Sequence, residues 1–311
     1  MAESPGPKTA PPQKAPPTPN AGGTKPDLAT IAGIGLAVSG ILGGLLLEKG
    51  SIQDVAQATA AMIVFGGTIG AVLVTTPLPV FLRAVASLRR VFLEHVASPS
   101  TTIETLLQFA TKARKNGIVS LEAESDRISD SFLRKALNLA VDGTDLNELR
   151  KMMETDIELS ELAGEAEAKV WEAAGGYAPT IGIIGAVMGL IQVMKHLDDI
   201  KEVGHGIAVA FVATVYGVGS ANIFFLPVGT KLRARLHGAR VIKEMILEGV
   251  VGIVEGLNPT LIRMKLEAFD QEPAPPPKAA TAAPAKTAQP KAAQSKAAPA
   301  GKTPEPASAG S

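Results

Sequence analysis

The chain has 311 residues, no net formal charge, no cysteine and only 4% aromatic side chains, yet 46% of it is hydrophobic. Balanced charge gives no electrostatic case for nucleic acid or an acidic substrate, and the lack of cysteine excludes a disulfide framework, thiolate metal ligands and a cysteine nucleophile. Four histidines (His95, His196, His205, His237) are scattered without ligand spacing, so nothing in the composition points to an enzyme, a metal site or a cofactor.

Residues 1–27 form a Pro/Ala/Lys-rich tail that cannot bury a core and is predicted to be disordered. The apolar run Leu28–Leu47 follows. It is too long for the roughly 7–15 residues of a signal h-region and matches the ~20 residues of a membrane-crossing helix. After the polar break Glu48-Lys49-Gly50, a second run begins near Val55 and reaches Leu82. Arg83, Arg89 and Arg90 then make a basic border.

Residues 83–175 are polar with helical periodicity. Leu106, Ala110 and Ala113 share one face, as do Leu121, Ile128, Phe132, Ala136 and Leu139 in the next segment. Asp142-Gly143 closes that segment, and Asp145 with Glu148 has capping-box spacing for the next helix. Residues 176–229 hold two further apolar runs, one from Gly176 to Ile191 and one from Ile207 to Pro227. Lys231, Arg233, Arg235 and Arg240 open an amphipathic helix predicted over 230–269, and 270–311 is an Ala/Pro/Lys tail.

The expected fold is an all-α integral membrane protein with four spans, a large helical insert between spans 2 and 3, and a terminal amphipathic helix. Arginines follow spans two and four, whereas the short connections Glu48–Asp54 and Lys195–Glu202 carry no basic excess. The positive-inside rule therefore puts both termini and the insert in the cytoplasm.

Each span carries small residues four apart: Gly40 with Gly44, Gly66 with Gly70, Gly185 with Gly189, Ala213 with Gly217. Such spacing lets helix backbones approach closely, within a subunit and between copies. None of the four apolar cores holds an Asp, Glu, His, Lys or Arg. Ion relays normally use such groups despite an insertion cost of about 2.5–3.5 kcal/mol each. A chain that moves ions with these spans takes its titrating group from a partner. Pro179 and Pro227 stand near the cytoplasmic ends of spans 3 and 4, read as lying at the same depth, where a missing helical hydrogen bond makes a flexible collar.

The motifs Ala178-Pro179-Thr180-Ile181-Gly182 with Gly185 and Gly189, Ala208-Val209-Ala210 with Thr214-Val215-Tyr216-Gly217, and Asn222 with Pro227 resemble the MotA/PomA stator proteins of the bacterial flagellar motor. Lys112-Ala113-Arg114-Lys115-Asn116-Gly117, followed by Ser120-Leu121-Glu122, is similar to that family's rotor-facing motif, and Val141-Asp142-Gly143 fits too. The similarity covers roughly Asp27–Phe269. It implies a homopentameric ring in the membrane lipid, around a MotB-type dimer whose membrane aspartate binds the ion, pushing on the rotor protein FliG.

By the same resemblance Pro179 and Pro227 couple ion passage to movement. Arg114, Lys115 and Glu122 engage FliG, and Thr214, Ala186 and Tyr216 belong to the ion pathway. Sodium-type members carry a threonine where this chain has Ala186. Bare Na⁺ needs oxygen ligands, so the missing hydroxyl favours H⁺, with Na⁺ the alternative. An ExbB/TolQ-type energiser is the other alternative, although such proteins usually have three spans and an outside N-terminus.

Overall fold

The computed structural model describes residues 24–95 and 99–270, so most of the tails expected over 1–27 and 270–311, namely 1–23 and 271–311, lies outside the described residues. The described chain is helical apart from a short antiparallel ladder between β1 (Thr24–Pro26) and β2 (Leu93–His95). The end of the expected N-terminal tail is thus ordered. Thr24–Pro26 pairs with the segment that follows span 2, and the Asp27 N–H donates to the Phe92 carbonyl at 2.8 Å.

Span 1 is α1 (Leu28–Leu47), with the bounds its apolar run predicts. Asp27 caps it, accepting from the Thr30 N–H at 3.0 Å. A short turn, α2 (Ile52–Val55), leads into span 2, α3 (Ala58–Thr75). Span 2 ends earlier than its apolar run. Pro77 disfavours helical backbone at the residue before it, and Thr76 is extended with φ −129° and ψ 130°. Leu78–Leu82 therefore belongs to the next helix, α4 (Leu78–Phe92), where Pro79 sits at the tolerant N-terminal turn.

The insert continues with α5 (Pro99–Asn116), a 3₁₀ turn (Ile118–Leu121), one helical turn α6 (Glu122–Ser125) and α7 (Ser131–Val141). The single apolar face read along Leu121–Leu139 is thus shared by three short elements. Leu121, Ile128, Phe132 and Ala136 are buried all the same, with Leu139 packed beside them. Gly143, at φ +73°, ends α7 as the Asp-Gly pair predicts. Asp145 caps α8, accepting from Asn147 N at 2.9 Å and Glu148 N at 3.4 Å.

Two very long helices organise everything else. Helix α8 (Leu146–Lys195) is stalk and span 3 in one 50-residue rod, unbroken at the expected boundary near residue 175. Helix α9 (Ile200–Val254) is span 4 and stalk together, and α10 (Pro259–Asp270) folds back on its end. The stalk core draws on all of these elements: Leu106, Leu121, Leu137, Leu149, Met245 and Leu266 are inaccessible or nearly so. Burying each such side chain stabilises by about 1.5–3 kcal/mol. Ion pairs tie the two rods along the stalk: Glu172 with Arg233 at 2.9 Å, Glu161 with Arg240, and Arg150 with Glu248 at 2.7 Å. Half-exposed pairs of this kind add little stability individually, but they fix the sliding register of the helices.

Candidate functional site

Spans 3 and 4 meet along a seam of small residues. Gly182, Gly185 and Gly189 of α8 are buried against Ala213, Gly217, Gly206 and Ala210 of α9. A Cβ on Gly217 would lie 2.6 Å from the Ala178 carbonyl oxygen, and one on Gly189 2.7 Å from that of Gly206. Only glycine admits backbones this close. The seam also shows the helices to be antiparallel, since Gly189 meets Gly206 while Gly175 meets Leu226. The small-residue pairs of spans 1 and 2 behave differently. Beyond its own helix backbone, no heavy atom of the described residues lies within 4 Å of a Cβ placed on Gly40, Gly44, Gly66 or Gly70, so those pairs make no close helix contact among the described residues.

Thr214 stands on this seam, half-buried. Its Cα is 3.5 Å from the position of a Cβ on Gly182, and its hydroxyl donates to Ala210 O at 3.2 Å. With its proton spent on its own helix, the Thr214 oxygen keeps lone pairs to offer. Ala186, also half-buried, is one turn beyond Gly182 on the same strip of α8. Tyr216 is directed elsewhere. Two residues after Thr214, it is turned about 200° around the helix. Its hydroxyl donates to Val55 O and its ring lies 5.9 Å from that of Phe65. Tyr216 braces span 4 against span 2 and the turn that leads into it rather than standing beside Thr214.

The two prolines are not level. Helix α8 continues through the half-buried Pro179. Since Ala178 faces Gly217 and Gly175 faces Leu226, Pro179 lies roughly two turns nearer the membrane centre than the exposed Pro227. The reading of both at one depth fails because it took no account of this register. Opposite Pro179 the helix of span 4 widens into a π turn, Ala221–Phe225, where Leu226 N–H donates to Ala221 O. A wider turn accommodates Pro227, which has no N–H for the Ile223 carbonyl.

That π turn aims Phe224 and Phe225 at Trp171. Trp171 meets Phe224 edge-on at 5.9 Å and stacks on Phe225 at 6.3 Å, while its Nε1–H donates to Ala84 O at 3.1 Å. This buried aromatic knot joins both rods to α4 where spans become stalk. Sequence reasoning passed over it, although the chain has a single tryptophan. A second knot lies nearby, also unread. Asp27 pairs with Arg235 at 2.7 Å and with Lys231, which also donates to Thr30; Arg235 also donates to Leu93 O at 2.7 Å. The hydrogen bond from Lys231, helped by that from the Thr30 N–H, holds the Asp27 carboxyl well below the usual carboxylate range despite burial. Together these contacts fasten the start of span 1 and the end of α4 to the base of span 4.

The second candidate region is the far tip of the stalk. Arg114 and Lys115 occupy the last turn of α5, and Glu122 opens α6 beyond Gly117, at φ +80°. All three are exposed and none has an ion-pair partner among the described residues, whereas Lys112 and Glu124 just behind them pair at 2.6 Å. The structure thus gathers Arg114, Lys115 and Glu122 at one end and Thr214, Ala186 and Pro179 at the other. The rods α8 and α9 run between the two.

Four helices long and apolar enough to cross a membrane, with no Asp, Glu, Lys or Arg in 28–47, 58–75, 176–194 or 206–230, make this a multi-pass membrane protein with a helical stalk. Residues 124–245 match the model of the MotA/TolQ/ExbB proton channel family, and residues 31–117 match that of the motility protein A N-terminal region. The chain is 37% identical over 240 residues to motility protein A of Helicobacter pylori, covering 77% of this chain and 93% of that protein. It is 34% identical over 244 residues to motility protein A of Bacillus subtilis, covering 77% and 89%. Among solved structures, MotAB of C. jejuni superposes with a TM-score of 0.74 at 33% identity, covering 80% of this chain and 98% of the matched one. The chain belongs to the MotA/TolQ/ExbB proton channel family, in its motility protein A branch.

Proposed function

We propose that the chain is the ring-forming subunit of a flagellar motor stator, a transmembrane ion-driven machine rather than an enzyme. The observation that carries this is the union of ion-pathway and lever in one pair of continuous helices. Thr214 and the glycine seam sit at one end of α8 and α9, and the unpaired Arg114, Lys115 and Glu122 are held at the other. A ring of such subunits, five in number, encloses two copies of a single-span MotB-type partner that contributes the membrane aspartate. The stalk lies in the cytoplasm with both termini, because the arginines follow spans 2 and 4.

Protonation of the partner's aspartate removes its charge, and the seam around Thr214 then moves past it. Pro179, the π turn and Pro227 form a staggered hinge through which that step reaches the stalk. Exposed charges at the tip give weak, salt-screened contacts suited to repeated making and breaking with the rotor protein FliG. Protons are the coupling ion, since Ala186 offers no oxygen ligand beside Thr214. The test is rotation of tethered cells carrying this chain with its partner, at constant membrane potential in sodium-free medium. Continued rotation is expected; arrest on sodium removal would overturn the proton assignment.

A further inference from the structure

The basic residues bordering the spans divide into two classes. Lys231 and Arg235 share Asp27, Arg233 faces Glu172, Arg240 faces Glu161 and Glu244, and Arg90 faces Glu167 at 3.4 Å. Arg83 and Arg89, both on α4 and both exposed, have no carboxylate partner among the described residues. The uncompensated positive charge at this membrane border therefore belongs to α4.

Helix α4 also has an apolar face that nothing among the described residues covers. Its inner face, Ala84, Ser87 and Val91, is buried against the Trp171 cluster. Leu78, Leu82 and Val85 follow one another at i, i+4 and i+7 on a different face and are 59%, 58% and 42% exposed. Arg89, at i+11, ends that same stripe, and Arg83 lies beside it. The helix starts three residues after span 2 ends at Thr75, so its first turn stands in the headgroup region of the bilayer. An amphipathic helix at that depth, with leucines on one edge and arginines alongside, has the composition of an interfacial element.

We propose that the outer face of α4 is a binding surface for anionic phospholipid: Leu78, Leu82 and Val85 enter the acyl boundary, and Arg83 and Arg89 hold the headgroup phosphate. The leaflet meant is the one facing the stalk. The orientation proposed above makes it cytoplasmic, but the binding itself does not depend on that orientation. Lipid bound here would brace the joint between span 2 and the Trp171 knot, because Ala84 in the middle of α4 accepts the Trp171 hydrogen bond.

The experiment uses the full chain in detergent, titrated with acyl-labelled phosphatidylglycerol and with acyl-labelled phosphatidylcholine, read by fluorescence anisotropy. Tighter binding of phosphatidylglycerol is expected, weakened by about fivefold for each arginine removed and by roughly thirtyfold in R83Q/R89Q. Phosphatidylcholine, whose phosphate is already offset by its own choline cation, should lose much less affinity in that variant. Replacement of Arg233, whose charge is already paired, gives the control and should leave the preference intact. Equal affinity for the two lipids, or an undiminished preference in R83Q/R89Q, would overturn the proposal. So would displacement of the lipid by inorganic phosphate at constant ionic strength. A L78S/L82S variant that lowers the oligomeric mass while keeping lipid affinity would assign the face to a second copy instead.

Discussion

Replacing Gly217 by alanine tests whether spans 3 and 4 touch as closely as the structure places them. The added methyl would lie 2.6 Å from the Ala178 carbonyl oxygen and 3.0 Å from the Gly182 Cα, both backbone atoms of the facing helix. Ordinary contact begins near 3.4 Å, so the rods must separate by about 0.8 Å. Neither atom can swing aside as a side chain end could, and overpacking of this kind costs about 1–3 kcal/mol. Gly219, two residues along the same helix, is the control, since beyond its own helix backbone no heavy atom of the described residues lies within 4 Å of its Cβ position. There alanine should gain up to about 1 kcal/mol of helix propensity. The two variants should move the thermal midpoint of the purified chain in opposite directions, by roughly 2–4 °C per kcal/mol. Equal shifts would refute the packed seam.

Asp27→Asn should cost about 1.5–3 kcal/mol by weakening charge-assisted hydrogen bonds from Lys231 and Arg235, measured by thermal unfolding. The same variant should flatten the acid limb of the stability profile. Asp27 is held low mainly by its hydrogen bond from Lys231; Glu248 is held low by Arg150 and Lys265, which outweigh the upward push of burial. In both cases the unfolded state binds the proton more readily. Their stabilisation is complete above about pH 4, the unfolded carboxylate value, and is lost as pH falls through the folded values. Trp171→Phe should lose about 1 kcal/mol with the Ala84 hydrogen bond, visible as a lower melting midpoint. Arg114→Glu, at an exposed and unpaired position, should leave circular dichroism and melting unchanged while abolishing swimming; retained swimming would remove Arg114 from the rotor contact.

Where one helix governs its own ends, the sequence could be read directly. Span 1 runs over the apolar residues Leu28–Leu47, Asp145 caps α8, and Gly143 closes α7, because periodicity, capping and glycine at positive φ are local effects. The stripe of Leu106 and Ala110 was legible for the same reason. Features set by partners far along the chain were not. Asp27 meets Arg235 across 208 positions, so its aspartate read as the end of a tail. The offset of Pro179 and Pro227 follows from the register of the glycine seam, and Tyr216 reaches back to Val55 across 161 positions. The early end of span 2 was open to a stricter reading, since Pro77 forbids what the hydropathy of Leu78–Leu82 suggests.

The four membrane spans carry hydroxyls and glycines but no acidic, basic or histidine side chain of their own, half of an ion pathway. Proton flux into vesicles under an imposed membrane potential tests this most directly, with the chain alone and with its single-span partner. No flux above background is expected from the chain alone. Flux should appear with the partner present and be lost when the partner's membrane carboxylate is replaced by an amide. Flux from the chain alone, abolished by no change in the partner, would contradict the need for a carboxylate from the partner.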